Sequence, residues 1–197
     1  RLQVVQRLGR AAEYKDNETG MHVMRMSHYS KELALAYGLT DKQAEILLHA
    51  APMHDIGNIG IADSIMLKPG KLTDEEFATM KNHPEIGAEI IGDCGDSLLL
   101  NVAKSVSLTH HEKWDGSGYP KGLAGEDIPI EGHICAIADV FDALTSKRPY
   151  KDAWSIEKTV DFLQSQKGKH FEPRLVDLMI EIMPKILDIK ATFKDED

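Results

Sequence analysis

"TDKQAEILLHAAPMHD" (residues 40–55) decides how the chain folds. Thr40 followed three residues later by Gln43 is a capping box, in which each side chain satisfies a backbone N–H at the start of a helix. The apolar residues behind it predict a helix running to about His54 or Asp55, with Pro52 near its end. That helix ends on an imidazole beside a carboxylate. His49 stands five residues before His54, about 140° round the helix, and is read as structural.

The same helical grammar continues in both directions. Residues 2–15 carry apolar residues at helical spacing. Residues 20–37 repeat the pattern with Val23, Met26, Leu33 and Tyr37, and Gly38 fits a C-cap. "TDEEF" (73–77) is a second capping box, Thr73 with Glu76. Further helices fit 84–92, 97–110, 131–146, 155–166 and 173–187. No alternating strand and no internal repeat is visible, so the expected fold is all-α, a helical bundle. The long irregular stretches, 56–72 and 112–130, are of a length that is usually functional.

At 197 residues the chain is expected to be one domain, residues 1–197. Residues 1–15 are expected to continue an upstream helical linker and to pair as a coiled coil in a homodimer. Residues 188–197 are expected to form a C-terminal tail. The chain begins at Arg1 and is read as a piece of a longer protein. A composition 42% apolar and 28% charged suits a globular core. No run of 18 apolar residues and no signal peptide is visible, which argues against membrane insertion. A formal net charge of −9 argues against DNA or RNA as a partner, since their backbones require clustered Lys and Arg. It leaves a phosphate substrate open where bound cations reverse the local charge. Cys94 and Cys135 lack CxxC spacing and read as reduced cytoplasmic thiols.

Nine histidines are present, and several stand at helix faces and ends. "THHEKWDGSGYPKGL" (109–123) sets His110 and His111 side by side ahead of a glycine-rich loop. Buried imidazoles each need a hydrogen-bond partner, so an ordinary core does not favour such a pair. Glu18 and His22 are one helical turn apart. His54 and Asp55 close one helix, His83 precedes Pro84 at the start of another, and Asp139 lies on a later one with Asp142 a turn beyond. Glu18, His22, His54, Asp55, His83, His110, His111 and Asp139 make eight nitrogen and oxygen donors without a thiolate. Such a set suits Fe, Mn, Co, Ni or Zn. Eight donors exceed what one ion takes, so two or three divalent transition-metal ions are expected, iron or manganese first. A carboxylate such as Asp55 can bridge two ions. His28, His49, His133 and His170 fall outside the set.

These residues resemble the HD-GYP family, a subgroup of the HD metal-dependent phosphohydrolases. The resemblance rests on "NETGMHVMRMS", "HDIGNIGIAD", "LKPGKLTDEEFATMKNHPEIGAEII", "LTHHEKWDGSGYPKGLAGEDIP" and "AIADVFDALTSKRPYKDAW", and more loosely on "FEPRLVDLM". It implies an all-helical HD domain with an extended GYP loop and a two- or three-metal centre on the eight residues. It also implies hydrolysis of cyclic di-GMP to the linear dinucleotide pGpG or to GMP, with His54 and Asp55 at the catalytic centre. Tyr119, Arg148 and Lys151 align with substrate contacts. On the residues alone, "KRPYK" reads as a solvated basic loop.

Three positions depart from the family pattern. Asn58 stands where lysine is usual and is placed near the substrate phosphate. Ala62 replaces a proline, and Gly132–His133 replaces Ala–Arg. Alternative readings are a phosphodiesterase preferring 3'3'-cyclic GMP–AMP, a metal-binding signalling module docking a diguanylate cyclase (GGDEF-domain) partner, and another HD phosphohydrolase acting on nucleotides. The resemblance further implies a cytoplasmic protein with an N-terminal receiver or sensory domain.

Overall fold

The computed structural model describes residues 2–16 and 21–196. Among them are eleven α-helices: α1 (Leu2–Lys15), α2 (His22–Tyr37), α3 (Asp41–Ala50), α4 (Asp63–Met66), α5 (Asp74–Met80), α6 (His83–Ile91), α7 (Leu98–Thr109), α8 (Ile130–Thr145), α9 (Ile156–Ser165), α10 (Pro173–Glu181) and α11 (Met183–Thr192). Only isolated bridges, Arg148 with Lys151 and Lys167 with Phe171, represent extended pairing among the described residues. The chain is therefore all-α, as its periodicity predicts. No described helix is long and apolar enough to cross a membrane.

Both capping boxes form. Thr40 Oγ1 accepts from the Gln43 N–H at 3.2 Å, and Thr73 Oγ1 accepts from the Glu76 N–H at 3.2 Å. Gly38 closes α2 in the left-handed conformation, at φ 107°. The main core gathers Met26, Tyr29 and Leu33 of α2, Leu47 of α3, Ile134 and Phe141 of α8, and Leu175 and Met179 of α10. Each such side chain contributes roughly 1.5–3 kcal/mol by leaving water. A smaller core of Val5, Ala50, Met53 and Ala103 seats α1 against the segment before His54. Cys135 is buried, Cys94 half-buried, and both are thiols.

Helix boundaries differ from expectation at several places, two of them at prolines. The helix opened by Thr40 ends at Ala50 and continues as a 3-10 turn over Ala51–Met53. Pro52 has no N–H to donate to Leu48, so the α-ladder stops there. The expected helix 173–187 divides at Ile182, because Pro184 removes a donor and is accommodated in the first turn of a new helix. That helix reaches Thr192, well into the segment expected as a tail. The stretch 56–72 holds a 3-10 segment, Ile56–Gly60, and the short α4.

Two glycines bring the site-bearing segments together. A Cβ on Gly57 would stand 1.8 Å from the His83 carbonyl oxygen, so only glycine lets the chain after Asp55 lie against α6. A Cβ on Gly132 would stand 2.2 Å from Thr109 Oγ1, so α8 approaches the end of α7 at the residue before His110.

Candidate metal centre

The helix ends converge on two carboxylates. Asp55 lies between the 3-10 segments, with one oxygen facing each side. Its Oδ2 is 3.0 Å from His54 Nε2, and its Oδ1 is 3.2 Å from His83 Nε2 and 3.1 Å from His110 Nε2. Asp139 of α8 sets Oδ1 3.0 Å from His22 Nε2 and 3.6 Å from His54 Nε2. The donor atoms fall into two close groups, one of Asp55, His83, His110 and His111, the other of His22, His54 and Asp139.

The far nitrogen of each ring fixes its tautomer. His54 Nδ1–H donates to the Ala51 carbonyl at 2.8 Å, His83 Nδ1–H to Met80 at 2.8 Å, and His110 Nδ1–H to Val106 at 2.9 Å. His22 Nδ1–H donates to Asp142 Oδ2 at 2.7 Å. In the neutral rings Nε2 then carries a lone pair aimed at carboxylate oxygens about 3 Å away. The Nε2 atoms of His54 and His83 are buried and make no hydrogen bond. A lone pair facing an anion at that distance calls for positive charge between them, a proton or a cation. Buried imidazoles with a carbonyl or carboxylate behind the ring are the arrangement metal-binding histidines adopt, so the donors present fit divalent transition metals.

The electrostatics of the protein groups agree. Burial tends to raise the Asp55 carboxyl, but His54, His110 and His83 outweigh it and hold it well below the carboxylate range. Burial opposes ionisation of Asp139 likewise, and His22 and His54 prevail. His54 is pushed up, burial notwithstanding, by Asp55 and Asp139. His111 is held well down, first by burial and then by His110 and His83, and so stays neutral.

Of the eight expected donors, the structure brings seven together: His22, His54, Asp55, His83, His110, His111 and Asp139. Glu18 lies outside the described residues. Tyr119 forms a wall of the site, its ring stacked on His111 with centroids 4.8 Å apart and planes 14° apart. Asn58 is buried and lines a narrow crevice with Glu13, Asp16, His22, His54 and Asp55. Arg148 and Lys151 are exposed on the reverse turn that follows α8. The Lys151 ammonium lies 5.0 Å from the Trp154 ring centroid, over its face.

Two site-building residues were not assigned a role from sequence. Glu112 is buried and accepts from the N–H groups of Lys121, at 2.7 Å, and Leu123, at 3.0 Å, which ties the glycine-rich loop back onto the paired histidines. Asp142 is fully buried; besides His22 it accepts from Arg25 Nε at 2.7 Å and Nη2 at 3.1 Å. The signal for Asp142 was its position one turn after Asp139. For Glu112 it was adjacency to the histidine pair.

Comparison with known proteins comes to the same place. The HD domain family matches residues 6–175. The chain is 49% identical to "3'3'-cGAMP-specific phosphodiesterase 2" of Vibrio cholerae, over 98% of this chain and 37% of the relative. It is 47% identical to "Cyclic di-GMP phosphodiesterase response regulator RpfG" of Xanthomonas campestris pv. campestris, over 97% of this chain and 50% of the relative. The chain thus spans half or less of these relatives' length. Among solved structures, a cyclic GMP-AMP specific phosphodiesterase of V. cholerae shares the fold, with TM-score 0.68 at 19% identity over 97% of this chain and 51% of that one.

Proposed function

The chain belongs to the HD-domain family, and from that premise we propose that it is a metal-dependent phosphodiesterase hydrolysing cyclic di-GMP to pGpG or GMP. The observation that carries the reading is Asp55, whose two oxygens each face a separate histidine group. That placement supports a bridging role for Asp55 between two divalent ions; the proposal takes these as iron or manganese first, with Glu18 as a donor to a third. Held by His22, His54, Asp55, His83, His110, His111 and Asp139, such ions would supply an acidic bound water and positive charge for the phosphate oxygens.

The protein's own groups do the positioning. The carbonyls of Ala51, Met80 and Val106 and the Asp142 carboxylate hold four imidazoles in one tautomer. Tyr119 packs flat on His111 and fixes the wall against which a cyclic dinucleotide lies. Glu112 keeps the loop that carries Tyr119 closed over the histidines. Arg148 supplies a bidentate guanidinium and Lys151 a point charge for the second phosphate, and Asn58 offers an amide beside Asp55. The proposal includes an N-terminal receiver or sensory domain, supported by the relative named a response regulator, of which this chain spans half. The same proposal takes the protein to be cytoplasmic.

The test is Asp55→Ala. Metal-loaded wild type should hydrolyse cyclic di-GMP, and the variant should lose the activity together with bound metal. A variant keeping more than a tenth of the wild-type rate removes Asp55 from the bridge. A second reading, 3'3'-cyclic GMP–AMP as the preferred substrate, is favoured by the 49% identity to a relative named for that activity. Side-by-side kcat/KM values for the two dinucleotides decide between them.

A further inference from the structure

Asp142 stands between two sites. On one side it holds His22; on the other it holds Arg25, whose guanidinium reaches into an open pocket of about 430 Å³. That volume lies in the usual range for small-ligand sites, roughly 300–1,000 Å³. Its polar wall is Arg25, Ser146, Lys147, Lys190, Lys194 and Asp195. Four cations therefore meet two carboxylates, Asp142 and Asp195, in a chain whose formal net charge is −9.

Arg25 is 2% exposed and already engaged: Nη1 donates to Asp195 Oδ1 at 3.1 Å and to the Phe193 carbonyl at 2.9 Å. The segment after α11 is thus folded back so that the Asp195 carboxylate sits on a buried guanidinium. His28 stacks on Phe193 at 4.8 Å and helps to hold it there. The three lysines have no such partner. Among the described residues, Lys147, Lys190 and Lys194 make no side-chain hydrogen bond or ion pair. Lys190 is half-buried, and that burial pushes its ammonium below the ordinary value. A merely solvated basic face has no buried arginine at its floor and encloses no lysine.

We propose that this pocket is a binding site for a phosphate monoester, on which Asp195 is the chain's own placeholder. With Asp195 displaced, four cations face Asp142 alone, an excess of three, and a phosphate monoester brings nearly two negative charges near neutral pH where the carboxylate brings one. Its three terminal oxygens are enough to take over Arg25 Nη1 and to meet the lysines. Arg25 Nε and Nη2 stay on Asp142, so Nη1 supplies one charged donor, and the lysines serve as point charges around the ligand. Ser146 Oγ, which accepts from Arg25 Nη2 at 3.3 Å, keeps its own proton for a ligand oxygen.

The experiment is calorimetric titration of inorganic phosphate, and separately of GMP, into metal-loaded protein. Wild type, Asp195→Ala and the double variant Lys190→Ala with Lys194→Ala are compared. Phosphate binding at the metal centre is common to all three, so the differences isolate the second pocket. Removing the placeholder should tighten phosphate binding at least threefold. Removing both lysines should weaken it at least tenfold, with hydrolytic activity and circular dichroism unchanged. GMP binding tenfold tighter than phosphate supports the site with a nucleotide as ligand, and equal affinity supports it with free phosphate. Identical isotherms in all three proteins overturn the proposal.

Discussion

Replacing Asp142 by asparagine separates the support of the metal centre from its donors. The carboxylate accepts three close hydrogen bonds, from His22 Nδ1 at 2.7 Å and from Arg25 Nε and Nη2 at 2.7 and 3.1 Å. Asparagine has one oxygen, so in either orientation its NH2 faces N–H donors. Breaking a buried ion pair by removing one partner costs about 3–5 kcal/mol. Here Asp195 still meets Arg25 and one acceptor survives, so about 2–3 kcal/mol is the expected loss. At roughly 2–4 °C per kcal/mol for a chain of this size, the unfolding midpoint should drop by about 5–10 °C. His22 loses the acceptor that fixes its tautomer, which lowers metal affinity by roughly 10–100-fold at the His22, His54 and Asp139 group. Burial opposes the Asp142 charge, but His22 and Arg25 hold its carboxyl below the ordinary value of about 3.9. The stabilisation is therefore complete above about pH 4 and disappears as the pH falls through the folded value. Calorimetry of metal-free protein across pH, with metal titration at neutral pH, tests both effects. A variant within 2 °C of wild type and within threefold in metal affinity refutes the reasoning.

Other perturbations address separate parts of the structure. Gly57→Ala puts a methyl 1.8 Å from the His83 carbonyl oxygen. It should cost about 1–3 kcal/mol as overpacking and move Asp55 from His83, so unfolding midpoint and metal content should fall together; a normal metal content contradicts it. Glu112→Ala frees the N–H groups of Lys121 and Leu123. Hydrogen exchange at those two amides should speed up by at least tenfold with the helices unaffected, and unchanged protection counts against the tether. His170 is held down to about 4, first by burial and then by Lys113. An unfolded histidine binds its proton near pH 6.5, so the unfolded state takes up more protons between about pH 4 and 6.5. Stability falls as pH drops through that window, and the His170→Gln variant should show a shallower slope by up to about 1.4 kcal/mol per pH unit. Parallel slopes for the two proteins contradict this.

Features whose chemistry is local were legible from the residues. Thr40 with Gln43 and Thr73 with Glu76 are complete capping units within four residues, and both form. Histidines and carboxylates at helix ends announce themselves by type, and seven donors of the expected set meet in space. What could not be read depends on distant partners. Asp142 acquires its role from Arg25 and His22, more than a hundred residues earlier. Glu112 acquires its role from amides nine and eleven residues on, once the loop has turned. Gly57 looks like any glycine until α6 is laid against it. The early end of α3 was available in principle: Pro52 withholds the N–H that Leu48 would accept, a stop signal stronger than the apolar run that leads up to it.

The carbonyls that anchor His54, His83 and His110 belong to residues three or four positions earlier, at the last turns of their own helical segments. The Ala51 and Val106 oxygens also accept the backbone N–H of His54 and His110, each at 3.1 Å, and a carbonyl's second lone pair takes the ring N–H. The rings therefore lose their rotational freedom when the chain folds, and an arriving ion has little left to order. Three of the donors are set by short-range hydrogen bonds, each independent of the others, so damage to one helix end leaves the remaining rings aimed as before. Metal uptake should accordingly be fast and should proceed on the folded protein, with the scaffold unchanged in helix content from the metal-free to the loaded state.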